Sequence, residues 1–368
     1  MPEAKTISVA VLYNFTGVDE YQVLRRRIQA GTAVSPTGEI KDLEGIATIR
    51  EEIEAIVSAL RDKGFAVRPI NLKDDFDRLV GALTSPRPDV VFNLVEYFHD
   101  DARLEDRVAA LYDLLRLPYT GSPPMTLAIC QRKGLTKLIL RGLRIPIPRY
   151  ILVKKEPLPP KPSGLTYPLI VKPAWEDAST GVDEGAVVED RVRLEERVHK
   201  ILVEYHQPAL VEQFIEGREL GVSVIGNAKP KVLPVEEMDF SDLPPQYRRI
   251  ISYESKWDPL HEAFHKGVLV CPAKLPRGVM RRVRDIALRA YQALGCRDYA
   301  RIDMRLDRDN KLYVLEVNPN PDLTRGVAFM ASAQAAGISF GDALALIVEE
   351  AVNRGPAAPP AGPGDGPS

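Results

Sequence analysis

Two hydrophobic periodicities alternate along the first third of this chain. Thr6–Tyr13 is a short apolar run that reads as a buried strand. From Leu43 to Lys63 the apolar residues Ile46, Ile49, Ile53, Ile56, Val57 and Leu60 recur at the spacing of one helix face, and Gly64 supplies a stop. Phe65–Ile70 and Asp89–Leu94 return to strand character, and Arg103–Leu115 is helical again. This alternation predicts an open α/β lobe with a mainly parallel sheet, ending near Leu117-Pro118-Tyr119.

A second lobe is expected from about Thr120. Thr126–Leu143 has helical spacing, and Pro146 and Pro148 break the chain after it. Tyr150–Val153, Leu169–Lys172 and Ala186–Val188 read as strands, Lys154–Gly164 as a loop rich in Pro and Lys, and Arg191–Tyr205 as a helix. Leu210–Gln213 is a strand leading into a third lobe. There, strands are expected at Glu219–Ile225 and Lys231–Glu236, then an irregular stretch from Asp239 to Lys266. A helix over Gly278–Leu294, a hairpin over Tyr299–Asn318 and a last helix over Phe340–Val352 complete it. The expected lobes are therefore 1–118, 119–210 and 211–354. Residues 355–368 are nearly all Gly, Pro, Ala, Asp and Ser, cannot bury apolar surface, and are expected to be disordered.

Length and charge narrow the function. The 368 residues suffice for two or three packed lobes. A formal charge of −2 gives no electrostatic reason to expect a nucleic acid or an acidic membrane as partner. Met1–Ile7 lacks the apolar core of a secretory signal, and no stretch approaches the ~18 apolar residues of a membrane span. Cys130, Cys271 and Cys296 lie far apart with no CxxC pair, against a disulfide framework or zinc knuckle. A cytoplasmic location with reduced thiols is expected.

The strongest candidate chemistry lies on the hairpin. Arg301, Asp303 and Arg305 alternate with the apolar Ala300, Ile302, Met304 and Leu306, and Asp307–Asn310 supplies turn residues. On the return strand, Leu312, Val314, Glu316 and Asn318 are expected to share a face. Pairing Leu306 with Lys311 would set Asp303 opposite Val314 and Arg301 opposite Glu316, leaving the two carboxylates as diagonal neighbours. Asp303, Glu316 and the Asn318 amide are hard oxygen ligands suited to Mg²⁺, with Arg301 beside them to stabilise growing negative charge. A solvated face with an Arg301–Glu316 salt bridge is the equally available structural alternative.

Two further segments favour phosphate chemistry. Tyr167–Pro173 places Lys172 at the end of an apolar strand, before the small and acidic loop Ala174–Gly181. No Walker pattern is present. Glu212 and Glu219, seven residues apart, flank Phe214 and Ile215, a strip able to accept an adenine amino group at one end and ribose hydroxyls at the other.

Taken together and in this order, the segments resemble the ATP-grasp superfamily and, within it, the D-alanine–D-alanine ligase family. The resemblance runs from about Leu117 to Val327. It rests on Tyr119-Thr120-Gly121-Ser122, the helix around Lys133 and Lys137, Ile170–Pro173, Val211–Glu219, Cys271-Pro272-Ala273 and Leu315–Asn318. It implies an α/β fold with α+β lobes in the three-lobed ATP-grasp architecture. It also implies a ligase using ATP and Mg²⁺, or Mn²⁺, to join a carboxylate to an amine through an acyl phosphate, and a homodimer through the first lobe. By resemblance, Lys133 and Lys172 are nucleotide-phosphate lysines, Glu212 with the backbone of Phe214 and Ile215 is the adenine hinge, and Glu219 is the ribose acid. Lys256 is then the lid lysine that reaches the terminal phosphate, Asp303, Glu316 and Asn318 are the magnesium ligands, and Arg301 is the transition-state arginine.

The departures fall on the substrate positions. The first turn, Asn14–Glu20, lacks the family's glycine pair, leaving Asp19 or Glu20 as candidate acids. Ala178 stands where the family has Ser, with Ser179 after it, and Trp257 stands where it has Tyr. Glu96–Asp101 replaces a His-Gly and Glu-Asp-Gly stretch, Asp322 replaces Gly, and Val327 replaces a Ser that binds the second substrate's carboxylate. Arg305 and Arg325 are candidates to hold an anionic substrate, or to form structural salt bridges. The expectation is an amide-forming ligase with intact nucleotide machinery and substrates other than two D-alanines. The alternatives are a true D-alanine–D-alanine ligase and a catalytically silent nucleotide-binding protein, although ATP binding alone gives Arg301 no task.

Overall fold

The first apolar run forms β1 (Ser8–Tyr13), in a computed structural model that describes residues 6–17, 19, 22, 47–158, 164–176, 179–258 and 261–356. β1 is the middle strand of a parallel sheet, between β2 (Ala66–Asn71) and β3 (Val90–Leu94). Helix α1 (Ile49–Asp62) starts at a capping box: Thr48 Oγ1 accepts from Glu51 N at 3.2 Å, and Thr48 N donates to Glu51 Oε2 at 2.7 Å. The helix therefore begins later than Leu43; residues 43–46 of the expected span, and the tail 357–368, lie outside the described residues. Helix α2 (Phe76–Thr84), capped by Asp75, is too short to register in the periodicity, whereas α3 (Glu105–Leu114) follows it.

The helix expected over Thr126–Leu143 is two helices, α4 (Pro124–Gln131) and α5 (Lys133–Gly142), parted at Arg132 (φ −90°, ψ 82°). The break lets Lys133 N donate to the Ala174 carbonyl at 3.1 Å, which docks the start of α5 on the loop after β5 (Leu169–Pro173). With β4 (Tyr150–Val153), β6 (Val187–Val188) and β7 (Ala209–Gln213), β5 forms an antiparallel sheet in the order β4-β7-β5-β6, covered by α6 (Arg191–Glu204). β7 runs through the 210/211 position where the sequence suggested a lobe boundary and belongs wholly to this second sheet.

The third sheet is antiparallel. β8 (Gly217–Ile225), with β9 (Lys231–Val232) on its end, is flanked by β10 (Glu236–Asp239), which pairs with β11 (Val268–Val270), and by β12 (Tyr299–Asp307), which pairs with β13 (Leu312–Asn318). The strand expected over Lys231–Glu236 is split because Pro234 has no N–H for a ladder. The irregular stretch from Asp239 contains α7 (Tyr253–Trp257) and a 3₁₀ turn at Glu262–His265.

One face of this sheet is apolar. Val222, Val224, Ile302, Met304 and Val314 pack there against Val283, Ala287 and Ala290 of α8 (Arg277–Ala293). Helices α9 (Ala328–Ala335) and α10 (Phe340–Arg354) complete the first lobe's core, where Phe329, Leu344 and Ile347 meet Val9, Val11, Val90 and Phe92. No single helix among the described residues is long and apolar enough to cross a membrane.

Asp298 ties these parts together. Fully buried, it accepts from Gly121 N (2.9 Å), Asn227 Nδ2 (2.8 Å) and Arg354 Nη2 (2.9 Å), groups that come from three separate chain regions. Asp298→Ala leaves Arg354 without its partner carboxylate and Gly121 N without an acceptor, so a loss on the order of 3 kcal/mol is expected. Urea unfolding of the variant beside the wild type measures it.

Candidate active site

The polar face of the third sheet is created by a bulge. β12 and β13 pair Leu306 with Leu312 and Met304 with Val314, then shift so that Asp303 faces Glu316 and Arg301 faces Asn318. Leu315 is the additional residue, and it reverses the alternation of β13. Leu312 and Val314 stay in the core, whereas Glu316 and Asn318 turn to the face that carries Asp303. This corrects the register expected from simple alternation, which set Asp303 opposite Val314 and kept Leu312, Val314, Glu316 and Asn318 on one side. The carboxylates are direct cross-strand neighbours, not diagonal ones.

The charges of the hairpin have partners, but not the Arg301–Glu316 pair. Arg301 holds Asp303 through two hydrogen bonds, of 2.7 and 2.9 Å, instead of pairing with Glu316. Asn318 Nδ2 donates to Asp303 Oδ2 at 2.8 Å. Glu316 pairs with Lys133 Nζ at 3.0 Å. Burial pushes the Glu316 carboxyl up, but Lys133, Lys172 and Arg301 together hold it well below the usual carboxylate range. Two carboxylates and an amide oxygen are a hard donor set. Such a set fits a Mg²⁺ that shares its coordination with phosphate oxygens.

The second lobe presents its lysines through a buried carboxylate. Glu212, 1% exposed, has Lys137 Nζ at 2.5 Å on one oxygen and Lys172 Nζ at 2.9 Å on the other. Burial opposes its ionisation, but the two ammonium groups outweigh burial and lower its pKa. Lys137 also donates to the carbonyl of Leu315, the bulge residue, at 2.9 Å. Sequence reading gave Glu212 a role at the adenine edge and Lys137 none. The geometry makes Glu212 the support of Lys172, and Lys137 the link from the second lobe to the third.

The remaining candidates separate. Glu219 is held by Arg305 at 2.6 Å, and Arg305 is 3% exposed, which makes it a structural partner and not a free anion receptor. Phe214 N donates to the Pro168 carbonyl at 3.2 Å, and the Ile215 carbonyl accepts from Arg305 at 3.4 Å. Ser179 Oγ donates to the Ile251 carbonyl at 3.1 Å, and Tyr253 N to the Val182 carbonyl at 2.8 Å, so the loop after β5 touches the segment carrying α7. Lys256 lies over the half-exposed Trp257 ring, 4.8 Å from its centroid. Arg325 is exposed and stacks on Phe340 at 4.5 Å. Asp322 Oδ1 accepts from Thr324 N at 2.7 Å and Thr324 Oγ1 at 2.6 Å. Asp19 Oδ2 accepts from Ile49 N at 3.0 Å, at the start of α1. Glu20 and Ala178 lie outside the described residues.

Glu236 went unnoticed in the sequence. On β10 it faces Gly221 of β8, whose other neighbour is Asp303, so Glu236, Gly221, Asp303 and Glu316 form one row across the sheet. The missing side chain of Gly221 makes the room: a Cβ there would lie 2.1 Å from Glu236 Oε1. Glu236 is 3% exposed and its Oε2 has no hydrogen-bond partner. Burial first, then Asp303, raises its pKa to about 7 against the pull of Arg301. A lone Glu between a proline and a strand gives no signal of this; the Gly221 opposite it is visible only once the strands pair.

The family model for the D-ala D-ala ligase C-terminus matches residues 139–349. A D-alanine–D-alanine ligase of Desulforudis audaxviator is 34% identical over 303 residues, covering 82% of this chain and 92% of that protein. An uncharacterised protein, y4sG, of Sinorhizobium fredii is 32% identical over 265 residues, covering 72% of this chain and 75% of its own length. The crystal structure of the D-alanine–D-alanine ligase of Bacillus anthracis complexed with ATP superposes with a TM-score of 0.70 at 23% identity, over 95% of this chain and 98% of that one. The fold is that of the ATP-grasp ligases, an α/β fold with α+β lobes. The chain belongs to the D-alanine–D-alanine ligase family, as a divergent member.

Glu236 provides a pH test. A raised carboxyl pKa means that the folded protein holds this proton more tightly than the unfolded chain. Stability contributed by the neutral form is therefore complete below the ordinary Glu value and is lost as pH rises through about 7. Glu236→Gln removes that loss: the metal-free variant is expected to match the wild type near pH 4 and to exceed it by roughly 2–3 kcal/mol near pH 8. Denaturant unfolding at the two pH values decides it.

Proposed function

We propose that this protein is an ATP-dependent carboxylate–amine ligase working through an acyl phosphate, with substrates other than two D-alanines. The observation that carries the reading is the direct pairing of Asp303 with Glu316, with Asn318 beside them and Lys133 and Arg301 already bonded to the two carboxylates. Asp303, Glu316 and Asn318 would hold Mg²⁺, or Mn²⁺, which supplies charge neutralisation of the ATP phosphates. Lys133 and Lys172 then face the phosphates, Glu219 the ribose and the Phe214–Ile215 backbone the adenine, with Glu212 fixing Lys172 from behind. Lys256, on a short helix joined to the loop after β5, is the lysine we assign to lid closure.

The balance of the reaction is simple. An oxygen of the substrate carboxylate bonds to the γ-phosphorus and ADP leaves. The amine nitrogen bonds to the acyl carbon, the carbon–oxygen bond to phosphate breaks, and the amine gives up a proton. Arg301 is the residue we assign to stabilising the oxyanion that grows on the acyl group. The three lobes are the working units of this reading, with the second running through β7 to Gln213, α9 and α10 packed on the first, and the catalytic face on the third.

The substrate part rests on side chains. Glu96 and Asp322 depart from the family's pattern, and Val327, where the family carries a Ser for the second substrate's carboxylate, is an exposed apolar residue that cannot bind one. Ser179, the nearest hydroxyl to the expected loop position, is spent on the Ile251 carbonyl. Trp257 offers a broad apolar surface with one donor.

Two measurements test this. Asp303→Asn and Glu316→Gln are expected to lower ATP-dependent turnover at saturating Mg²⁺ by about 100-fold or more with the fold intact, because a neutral amide cannot balance metal and triphosphate charge. Near-normal activity in both removes the site. With millimolar D-alanine alone, phosphate release is expected to stay at least about tenfold below that with the best member of an acid and amine panel, since unpaired charges in the subsites cost ~1.5–3 kcal/mol each. Robust dipeptide formation from D-alanine would instead make this a true D-alanine–D-alanine ligase.

A further inference from the structure

Gly221 leaves a place on the polar face of the third sheet, and Glu236 fills it. A Cβ on Gly221 would lie 2.1 Å from Glu236 Oε1 and 2.7 Å from its Cδ. The Glu236 carboxyl therefore lies over β8, where a side chain at 221 would otherwise stand. Opposite Gly221 on the next strand is Asp303, and diagonal to it is Arg301, which itself faces Ser223 of β8. Directly opposed side chains start about 5 Å apart and diagonal ones about 7–8 Å, within reach of an arginine. The charges of Arg301 and Glu236 already act on each other. Two polar atoms beside this guanidinium are left over. Glu236 Oε2 and Ser223 Oγ are buried, and neither has a hydrogen-bond partner among the described residues. Buried polar atoms are normally paired, and these two come from different strands. The other diagonal cation, Arg305, is already bonded to Glu219 and to the Ile215, Gly217 and Arg249 carbonyls.

Asp303, by contrast, is fully engaged. Arg301 Nε holds its Oδ1 at 2.7 Å, and Arg301 Nη2 and Asn318 Nδ2 hold its Oδ2 at 2.9 and 2.8 Å. Mg²⁺ demands near-ideal octahedral geometry and a free lone pair on its carboxylate ligand. A guanidinium across both oxygens of that carboxylate blocks the lone pairs and repels the metal. Yet a part-buried guanidinium that loses its carboxylate is costly unless another takes it. We propose that Glu236 is a positioning residue for Arg301: when Asp303 turns its oxygens to a divalent cation, the guanidinium passes to Glu236, with Ser223 as a further acceptor. This role rests on the metal ligands assigned in the ligase reading above and adds a rearrangement to it. Arg301 uses two of its five N–H groups on Asp303. In the rearranged state one edge is gripped by Glu236, and the rest are left for phosphate and the growing oxyanion. The exchange moves one guanidinium between two carboxylates of a single sheet face and leaves neither cation unmatched.

The experiment is calorimetric titration of the full chain with a non-hydrolysable ATP analogue, as its Mn²⁺ complex and metal-free. Glu236→Gln keeps the side-chain volume and is expected to weaken binding of the Mn²⁺ complex by about tenfold, the usual effect of losing a hydrogen bond to a charged group. In an Arg301→Met background the same change is expected to weaken it by less than about threefold, because Glu236 then has nothing to hold. Equal weakening in both backgrounds, or none in the first, overturns the positioning role. A crystal structure of the wild-type chain with Mn²⁺ and the analogue gives a second readout that depends on no variant. Arg301 within hydrogen-bond distance of the Glu236 carboxyl is expected there; Arg301 still holding both oxygens of Asp303 overturns the exchange. Failure of the metal assignment shows differently: the wild type would bind the metal-free analogue as tightly as the Mn²⁺ complex, and the role of Glu236 falls with it.

Discussion

The polar face of the third sheet depends on one ammonium group that comes from another lobe. Lys137 is 1% exposed, and its Nζ divides between Glu212 in the second lobe and the carbonyl of the bulge residue Leu315 in the third. A bulge leaves its extra residue outside the regular ladder, and a buried carbonyl in that position needs a donor. Lys137 supplies it from a helix that starts only because the chain breaks at Arg132. The same lysine keeps Glu212 ionised, and Glu212 in turn fixes Lys172. Removing one member of a buried charged set of this kind strands the others, so its geometry is held more tightly than that of exposed pairs.

The face built on that support is a set of exchangeable ion pairs. Arg301 with Asp303 along β12, and Lys133 of α5 with Glu316, satisfy each other. A divalent cation at the carboxylates and a polyphosphate at the cations would replace both pairs at once without leaving a charge unmatched. This is how a site can remain folded when empty yet bind a highly charged ligand. Arg305 with Glu219 is of another kind, because Arg305 is also tied to the Ile215, Gly217 and Arg249 carbonyls and is nearly fully buried. Glu236 departs from the pattern of matched charge on this face.

Legibility followed the range of the interactions. Arg301, Asp303, Glu316 and Asn318 were visible as a group because alternation along two adjacent strands is a local property. Their mutual register was misjudged because a single inserted residue shifts every partner after it and flips the face, and nothing in Val314-Leu315-Glu316 marks the bulge. Glu212 was recognised by its spacing from Glu219, but its bond to Lys137 joins residues 75 positions apart, measured from 137 to 212. Glu236 was passed over for the same reason: its neighbours are brought by another strand.

The sequence by itself determined the class of fold, the order of the lobes and the identity of the charged groups on the hairpin, since periodicity, turn residues and residue chemistry are written within a few positions of one another. Tertiary structure alone decided which of those charges meet. The bulge that turns Glu316 and Asn318 toward Asp303, the lysine that holds the bulge and the glycine that makes room for Glu236 all depend on contacts between segments far apart in the chain. A local pattern specifies which face of an element a side chain occupies; only the packing of that face against another fixes its partner, and with it the charge state and the chemistry.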